Sequence, residues 1–526
     1  MIKTENDVKI VNELETENNA PLLNYNSNHS ISNLNSKHVI VIGSGFGGLS
    51  AAIRLQSQGY QVTILERRNQ IGGRASVYKI DGFTFDAGPT VITAPFLIKE
   101  LFDIAGKNMN NYVELLPVWP YYRIFFDDKS HFDYAHPEDN IKTIAQFSPE
   151  DLDGYKRMIQ DVKPIFEKGF LEMSFKPFDS FASMLKIAPA LFSLKSYKTN
   201  YQFVSKYIKN EQLRIVFSFH PLLIGGNPFT VPSIYSLIQY LEKEWGVFFA
   251  KGGTTALVHG LAKLFTDLGG KIILNADVSK INVFEKQVSG VSLKDGMYFS
   301  ADIVISNADV ATTYMKMIDK KWRKKNTDKK YSKAKYSMSL FLIYFGTKKQ
   351  YPDMKHHTII LGPRYKELLK DIFDKKILAD DFSSYLHVPT RTDPSLAPPG
   401  CETFYILVPV PHQDSGLDWD ALKDQFKDKI LSFLDKEYLP GLLDNLVVSK
   451  VFTPKDFETE FLSYKGSAFS LEPVFRQSAY FRTHNKSEDI KNLYFVGAGT
   501  HPGAGVPGVL SSAKLTTDQI IKSHLD

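Results

Sequence analysis

The sequence predicts an α/β protein with a Rossmann-like domain assembled from discontinuous segments, a mixed α/β domain and a helical subdomain. A glycine-rich turn between an apolar run and a helix start lies close to residue 43, and a second glycine-rich loop lies at 497–508. Between about 150 and 245, apolar residues recur at helical spacing with few strand patterns. The predicted boundaries are 37–130, 247–310 and 475–526 for the Rossmann-like domain, 131–150 and 311–474 for the mixed domain, and 151–246 for the helical subdomain.

Composition agrees with a soluble globular protein of more than one domain. The chain has 526 residues, of which 43% are hydrophobic and 23% are charged. A net charge of +5 is too small to indicate a nucleic-acid partner, and none is predicted. The lone Cys401 excludes an intramolecular disulfide and a cysteine-based metal cluster. Because no paired histidine or carboxylate spacing is evident, the sequence predicts no metal site.

The N-terminal segment 1–36 differs from the rest of the chain. It is rich in Asn, Ser and Glu, lacks sustained periodicity and contains no arginine, so we predict disorder rather than a transit peptide. The chain contains no run of 18 apolar residues, and we therefore expect no transmembrane helix.

The strongest single motif is Gly43-x-Gly45-x-x-Gly48, which follows the apolar run 39–42. Gly43 permits the tight turn, Gly45 lets the backbone approach a pyrophosphate, and Gly48 lets the helix pack closely on the strand. Glu66 closes the next apolar run, where a carboxylate binds a ribose hydroxyl pair. Together these residues form the fingerprint of an adenine-dinucleotide site.

Two further motifs follow this unit. The triplet Gly72-Gly73-Arg74 offers a fixed cation beside a pyrophosphate, or Arg74 forms a surface ion pair. An alternating strand then ends in Asp86-Ala-Gly88-Pro89-Thr90, where Asp86 is either catalytic or a cap of the turn. The C-terminal run Gly499–Gly508 stands at a helix start, where free N–H groups stabilise negative charge. A second anchor so far from the first favours a flavin over a nicotinamide cofactor.

Over residues 37–526 the chain resembles the bacterial- and fungal-type phytoene desaturases, which are FAD enzymes of the amine-oxidase-like class. The matching runs are GFTFDAGPTVIT, SFHPLLIGGNPF, EWGVFFAKGGTTALV, ISNADV, GSAFSLEP and NLYFVGAGTHPGAGVPGVL. This resemblance implies desaturation of a long, colourless isoprenoid such as phytoene to a coloured carotenoid such as lycopene. A hydride would pass to the flavin and the vicinal carbon would lose a proton.

Motifs and resemblance together give the expected cofactor site. Ala87–Thr90 would lie near the isoalloxazine and Val278 near the adenine. The predicted FAD-binding residues are Gly43, Gly45, Gly48, Glu66, Gly72, Gly73, Arg74, Gly88, Pro89, Thr90, Val278, Gly499, Gly505 and Val506.

The predicted catalytic residues are His501, Glu244 and His220, which all lie within or beside the matching runs. One of them would accept the proton that leaves the substrate. His501 is favoured because its loop must approach the flavin. Each has a structural alternative, since a lone histidine is usually part of the packing.

The expected substrate partitions into lipid, so we expect peripheral membrane association of a cytoplasmic protein. Segment 181–195 combines apolar residues with Lys186 and Lys195, which suits an interfacial helix or an ordinary core helix. Segment 320–335 carries nine Lys or Arg residues and would suit an anionic surface or a solvated face. Oxygen and a membrane quinone are the expected electron acceptors.

Other functions fit the same motifs. A diapophytoene desaturase, a carotenoid isomerase or a ketolase would share them. A non-catalytic isoprenoid-binding protein of the same fold would not need both glycine-rich ends. An FAD amine oxidase would require an aromatic cage beside the flavin, which the sequence does not reveal.

Overall fold

The computed structural model describes residues 37–178 and 196–525, together with Met184, Pro189 and residues 192–194. The predicted disordered segment 1–36 and most of segment 181–195 lie outside the described residues. The strands are β1 His38–Ile42, β2 Gln61–Leu65, β3 Val77–Ile80, β4 Phe83–Asp86, β5 Leu115–Pro117, β6 Tyr122–Phe125, β7 His131–Tyr134, β8 Phe248–Ala250, β9 Lys271–Ile273, β10 Val278–Phe284, β11 Gln287–Leu293, β12 Tyr298–Ser300, β13 Ile303–Ser306, β14 Ser339–Thr347, β15 His357–Ile360, β16 Ser384–His387, β17 Glu402–Val410, β18 Leu446–Phe452 and β19 Leu493–Phe495.

The α-helices account for most of the remaining regular structure. They are α1 Phe46–Gln56, α2 Pro95–Asp103, α3 Pro137–Phe147, α4 Leu152–Phe166, α5 Asn200–Ser205, α6 Glu211–Ser218, α7 Leu237–Trp245, α8 Thr254–Asp267, α9 Val310–Thr312, α10 Asp328–Lys333, α11 Tyr365–Lys370, α12 Trp419–Glu437, α13 Leu442–Asn445, α14 Pro454–Phe461 and α15 Val506–Leu525.

A parallel five-stranded sheet carries the glycine motifs. Its order is β19-β13-β1-β2-β9, so strands from three distant parts of the sequence lie side by side. Val39, Ile40 and Val41 are fully buried, as both faces of such a sheet are covered. Helices α15 and α8 both pack against α1. The α/β fold class and the discontinuous Rossmann-like unit predicted from the sequence are confirmed.

A seven-stranded sheet forms the second layer, in the order β18-β14-β17-β16-β15-β6-β7. Its pairings are antiparallel except for β15 with β6. Strand β6 belongs to this sheet, although the predicted boundary at 130 placed it with the Rossmann-like domain. The boundary missed this pairing because β6 meets β15 from a distant part of the chain.

The segment predicted as the helical subdomain contains α4 to α7 and no strand among its described residues. It covers the cavity described below, because Phe219, Leu222 and Leu241 reach the cavity wall from this segment. None of the helices described by the structure is long and apolar enough to span a bilayer.

Three of the nine cationic side chains of segment 320–335, those of Lys320, Arg323 and Lys325, pair with acidic groups. Arg323 is buried and bonds Asp328, which also pairs with Lys320. Asp489 accepts hydrogen bonds from the backbone N–H groups of Lys324 and Lys325. These contacts anchor part of the segment to the fold, and contact of its remaining cations with an anionic surface stays a prediction.

Candidate functional site

The first glycine turn leaves its backbone donors open. Helix α1 begins at Phe46, its N-cap Gly45 has no side chain to cap it, and its first turn has no acidic residue. Gly43 has a φ of +92°, a conformation that side chains rarely adopt. Gly43, Gly45 and Phe46 line the main cavity of the described residues. Uncapped N–H groups at the start of a buried helix form an anion site.

Gly48 serves the packing of this turn rather than the cavity wall. A Cβ at Gly48 would lie 2.1 Å from the carbonyl oxygen of Gly43. Any larger residue would therefore push α1 away from the strand that precedes it. This is the role that the sequence predicts for Gly48.

Asn307 joins the two glycine-rich loops, which the sequence analysis did not foresee. A Cβ at Gly45 would lie 2.9 Å from Nδ2 of Asn307, and a Cβ at Gly497 would lie 2.8 Å from its Oδ1. The side chain thus packs where the N-terminal and C-terminal loops meet. The only available signal was its place in the run ISNADV, directly after β13.

Glu66 lies at the end of β2, on the cavity wall beside the first glycine turn. Its Oε2 accepts hydrogen bonds from N and Oγ of Ser44, at 2.9 and 2.6 Å. Its Oε1 accepts one from N of Arg68 at 2.9 Å. These bonds hold the carboxylate still, and the remaining lone pairs can accept ribose hydroxyls.

Arg74 places a cation on the same wall. Its Nη2 donates to Oγ of Ser463 at 2.5 Å, while its buried Nε has no hydrogen-bond partner among the described residues. Burial lowers the pKa of the guanidinium, and nearby Asp309 partly offsets this effect. A half-buried cation with an unused, buried donor fits a phosphate ligand better than a surface ion pair.

The Gly88 turn packs against the Arg74 segment. A Cβ at Gly88 would lie 1.9 Å from the carbonyl oxygen of Arg74, so only glycine fits. Gly88, Pro89 and Thr90 all line the cavity. Asp86 does not line it: its Oδ1 accepts from N of Thr254 at 2.7 Å and caps α8. Burial raises the pKa of Asp86 to about 7.

A cluster of three hydroxyl groups lies on the cavity wall, between the glycine turns and the apolar part of the cavity. We call this position the junction of the cavity. Oγ1 of Thr90 lies 2.9 Å from the hydroxyl of Tyr405 and 3.1 Å from that of Tyr385. Both tyrosines line the cavity, with ring centroids 5.7 Å apart. The sequence analysis found no such aromatic pair because β16 and β17 supply one ring each.

Three buried histidines lie behind this cluster. His357 places Nδ1 2.6 Å from the hydroxyl of Tyr385, the ring of His387 stacks on it and the ring of His356 packs edge-on against it. Spacing along the chain could not reveal this group, because strand pairing brings the histidines together. The absence of a metal site stays a prediction.

The C-terminal loop lies on the cavity wall with the first glycine turn, and we call this part of the cavity the nucleotide end. Gly503, Gly505 and Val506 line the cavity at the start of α15. Gly499 does not, because a Cβ there would lie 2.7 Å from Cγ2 of Val310 and its role is packing. Val278 lines the cavity beside Glu66, as expected for an adenine position.

The cavity continues from these polar elements into an apolar chamber. Its volume of about 490 Å³ lies within the usual range of ligand pockets. Its acidic lining residues, Glu66, Asp277, Asp309 and Glu460, all belong to the nucleotide end. The apolar chamber is lined by Phe170, Phe219, Leu222, Leu223, Ile224, Leu237, Ile238, Leu241, Met338, Leu340, Leu342, Ile359, Leu361, Leu407, Pro409 and Phe469.

His501, predicted as a catalytic residue, lies outside the cavity lining. Its Nε2 lies 2.9 Å from the carbonyl oxygen of Met173, and its ring packs edge-on against Phe178. Burial lowers the pKa of His501 to about 4, so the ring is neutral at pH 7. This geometry indicates that His501 holds the C-terminal loop against the helical segment.

His220 and Glu244 also lie outside the lining. His220 is fully buried, with Nε2 3.0 Å from Oε2 of Glu242, and Tyr122 donates to the other oxygen of that carboxylate at 2.7 Å. Glu244 pairs with Lys243 on the protein surface side of α7. The buried carboxylate is thus Glu242, and its network fixes the Phe219–Ile224 wall of the chamber.

Fold and site together define an α/β protein in which one cavity joins two glycine-rich loops to an apolar chamber. Residues 46–521 match the family model of the flavin containing amine oxidoreductases, which covers most of the chain. Cyclohexylamine oxidase from Brevibacterium oxydans has the same fold, with a TM-score of 0.58 and 16% identity over 93% of this chain and all of that one.

Relatives with similar sequences show to which group within this family the chain belongs. The lycopene-forming phytoene desaturases of Pseudescherichia vulneris and Pantoea ananas are 50% and 48% identical, each over 92% of this chain and 99% of the relative. A 4,4'-diapophytoene desaturase of Staphylococcus haemolyticus is 37% identical over 92% of this chain and 98% of its own length. The chain belongs to the flavin containing amine oxidoreductases, within the phytoene desaturase group, and the predicted resemblance is confirmed.

Proposed function

We propose that the protein binds FAD at the nucleotide end of the cavity and desaturates phytoene in the apolar chamber, with lycopene as the product. One observation carries the proposal: the Gly88–Thr90 turn stands at the junction between a dinucleotide site and a chamber without acidic lining residues. A hydrocarbon substrate needs such a chamber, because a hydrocarbon has no polar group with which a buried polar side chain could form a hydrogen bond. The relatives at 47–50% identity carry the matching name.

The residues for the cofactor follow from the site. The N–H groups of the α1 turn and the guanidinium of Arg74 would hold the pyrophosphate, and Glu66 the ribose. Val278 would face the adenine, and the start of α15 would face the far edge of the flavin ring. When bound, the flavin supplies a hydride acceptor.

The chamber contributes to the reaction in two ways: it positions the substrate and it excludes water. Its leucine, isoleucine and phenylalanine side chains hold the polyene in line with the Gly88–Thr90 turn. The rings of Phe219, Tyr385 and Tyr405 present electron-rich faces, which stabilise positive charge on the substrate carbons.

A strong base is not required for the proton step. Once a hydride has left, the carbon next to the electron-poor centre becomes strongly acidic, so a hydroxyl oxygen or a water molecule suffices. The hydroxyls of Thr90, Tyr385 and Tyr405 are the polar groups at the junction of the cavity. We assign the first acceptor of the proton to this cluster, and positioning roles to His501, His220 and Glu244.

The direct test supplies phytoene in liposomes to the flavin-loaded full chain and follows the absorption spectrum. Lycopene bands support the proposal, while an unchanged spectrum contradicts it. Parallel assays with 4,4'-diapophytoene and with primary amines distinguish the shorter-chain desaturase and the amine oxidase. A preformed polycis carotene tests for isomerisation, and product oxygen content tests for a ketolase. A chain that stays colourless and binds no flavin would be a binding protein.

Membrane contact and the electron acceptor complete the proposal. We propose that the protein docks on a bilayer surface without crossing it, because phytoene resides in lipid. Phe192, within the predicted interfacial segment, is 71% exposed, and Tyr197, just after it, is 60% exposed. Flotation with anionic liposomes at low ionic strength tests this docking. Turnover with oxygen alone, compared with anaerobic turnover with a quinone, identifies the acceptor.

A further inference from the structure

Three histidines converge at the paired ends of β15 and β16. His357 opens β15 and is the cross-strand partner of His387, which closes β16, while His356 directly precedes β15. One ring nitrogen from each histidine lies within 4.8 Å of those of the other two. All three rings are buried, with exposures of 3% or less.

In each of the three rings, Nδ1 lies near a hydroxyl group, whereas Nε2 has no hydrogen-bond partner among the described residues. Nδ1 of His356 lies 2.6 Å from Oγ1 of Thr392, and the hydroxyl of Tyr385 lies 2.6 Å from Nδ1 of His357 and 3.4 Å from that of His387. The Nε2 atoms of all three histidines are buried and lack a hydrogen-bond partner among the described residues. A buried nitrogen without a partner is costly unless a ligand satisfies it, and this group holds three of them.

Hydroxyl groups also hold the three rings in place. A hydroxyl partner on Nδ1 fixes the orientation of each ring, as outer partners do in histidine metal sites.

We propose that His356, His357 and His387 bind a divalent transition ion of the zinc class through Nε2, with Asp86 as the fourth ligand. Oδ2 of Asp86 lies 3.8 Å from Nε2 of His387, close to the roughly 3.4 Å between ligands of a tetrahedral zinc ion. An imidazole-rich set suits zinc and disfavours calcium and magnesium, which require oxygen donors.

The ion would have a structural task next to the cavity. Asp86 ends β4 and caps α8, so an ion bound to it would tie that turn to β15 and β16. With Nε2 of His357 on the ion, its Nδ1 must hold the proton and donate to Tyr385. The ion would thereby orient the hydroxyl cluster without contacting substrate.

The first test is the metal content of the untagged full chain, expressed with added zinc and purified without chelator. We expect about one zinc per chain in the natural sequence, and at least a tenfold loss in the His356→Gln/His387→Gln variant. His412→Gln is the matched control, because His412 is also buried but lies outside the group. Equal zinc content in all three proteins, or none in the natural sequence, overturns the proposal.

A second measurement does not depend on that variant folding. Cobalt loaded into the natural chain should give the intense visible absorption of a tetrahedral nitrogen-rich site, whereas a weak octahedral spectrum contradicts the assignment. Thr392→Val removes only the partner of Nδ1 of His356, and we expect roughly 10- to 100-fold weaker zinc binding. Unaltered affinity in this variant would also count against the proposed orientation.

Discussion

The carbonyl oxygen of Arg74 lies 1.9 Å from the point that a Cβ would occupy at Gly88. The Gly72–Arg74 motif and the Gly88–Thr90 turn are therefore in backbone contact, and this contact leaves no room for a side chain at position 88. Arg74 faces the nucleotide end and Gly88 stands at its junction with the apolar chamber. Under the proposed function, this contact would set the boundary between the cofactor site and the substrate chamber.

Gly88→Ala should displace the turn, since the clash is with backbone and cannot be relieved by a rotamer change. We expect at least a tenfold loss of FAD affinity in a fluorescence titration, together with about 1–3 kcal/mol of lost stability. Gly106→Ala is the control, because a Cβ at Gly106 has no neighbour within 4 Å. Equal FAD affinity in both variants would refute the packing role of Gly88.

Glu66→Gln keeps the shape of the side chain and removes its charge. The amide binds ribose hydroxyls less strongly than a carboxylate, so we expect about tenfold weaker FAD binding. Glu114→Gln, in an exposed pair with Lys251, should leave the affinity unchanged. The account of the ribose site fails if Glu66→Gln binds FAD as tightly as the natural sequence.

Tyr385→Phe and His501→Asn distinguish the two views of the proton step. Tyr385 belongs to the hydroxyl cluster on the cavity wall, whereas His501 lies outside the lining. We expect Tyr385→Phe to slow product formation at least ~10-fold with FAD still bound. His501→Asn should lower the melting temperature but keep kcat within about threefold of the natural value. The opposite pattern would restore His501 as the catalytic residue.

Glu472 should make stability fall as the pH rises. Burial raises its pKa to about 7, above its ordinary value of 4.5, so between these values the folded protein holds a proton that the unfolded chain has lost. The free energy of unfolding therefore decreases from pH 4.5 to about 7, by on the order of 3 kcal/mol. The melting temperature of Glu472→Gln, measured relative to that of the natural sequence, should increase as the pH rises from 5 to 8. Glu367→Gln, at an exposed site, should show no such trend.

The glycine motifs carried most of the predictive power for the fold and the cofactor site. Gly43, Gly45 and Gly48 report a local turn whose geometry follows from a few neighbouring residues. The two-ended site was also predictable, because the loop at 497–508 shows the same glycine-before-helix pattern. These features depend on backbone conformation, which glycine reveals directly in the sequence.

The groups at the junction were not predictable, because they depend on which strands pair. Tyr385, Tyr405 and His357 come from three strands whose register is set by tertiary packing. For the same reason the sequence could not tell Glu242, which is buried, from Glu244, which pairs with a neighbouring lysine. A side chain's type gives its chemistry but not the cavity that it faces.

The most direct test of the central claim is an anaerobic single turnover of the flavin-loaded chain with phytoene-loaded liposomes. The account predicts that flavin absorbance bleaches as bands of a longer conjugated polyene appear, at matching rates, since the hydride leaves the hydrocarbon for the flavin. Flavin that stays oxidised, while phytoene remains unchanged in the presence of bound cofactor, would contradict it.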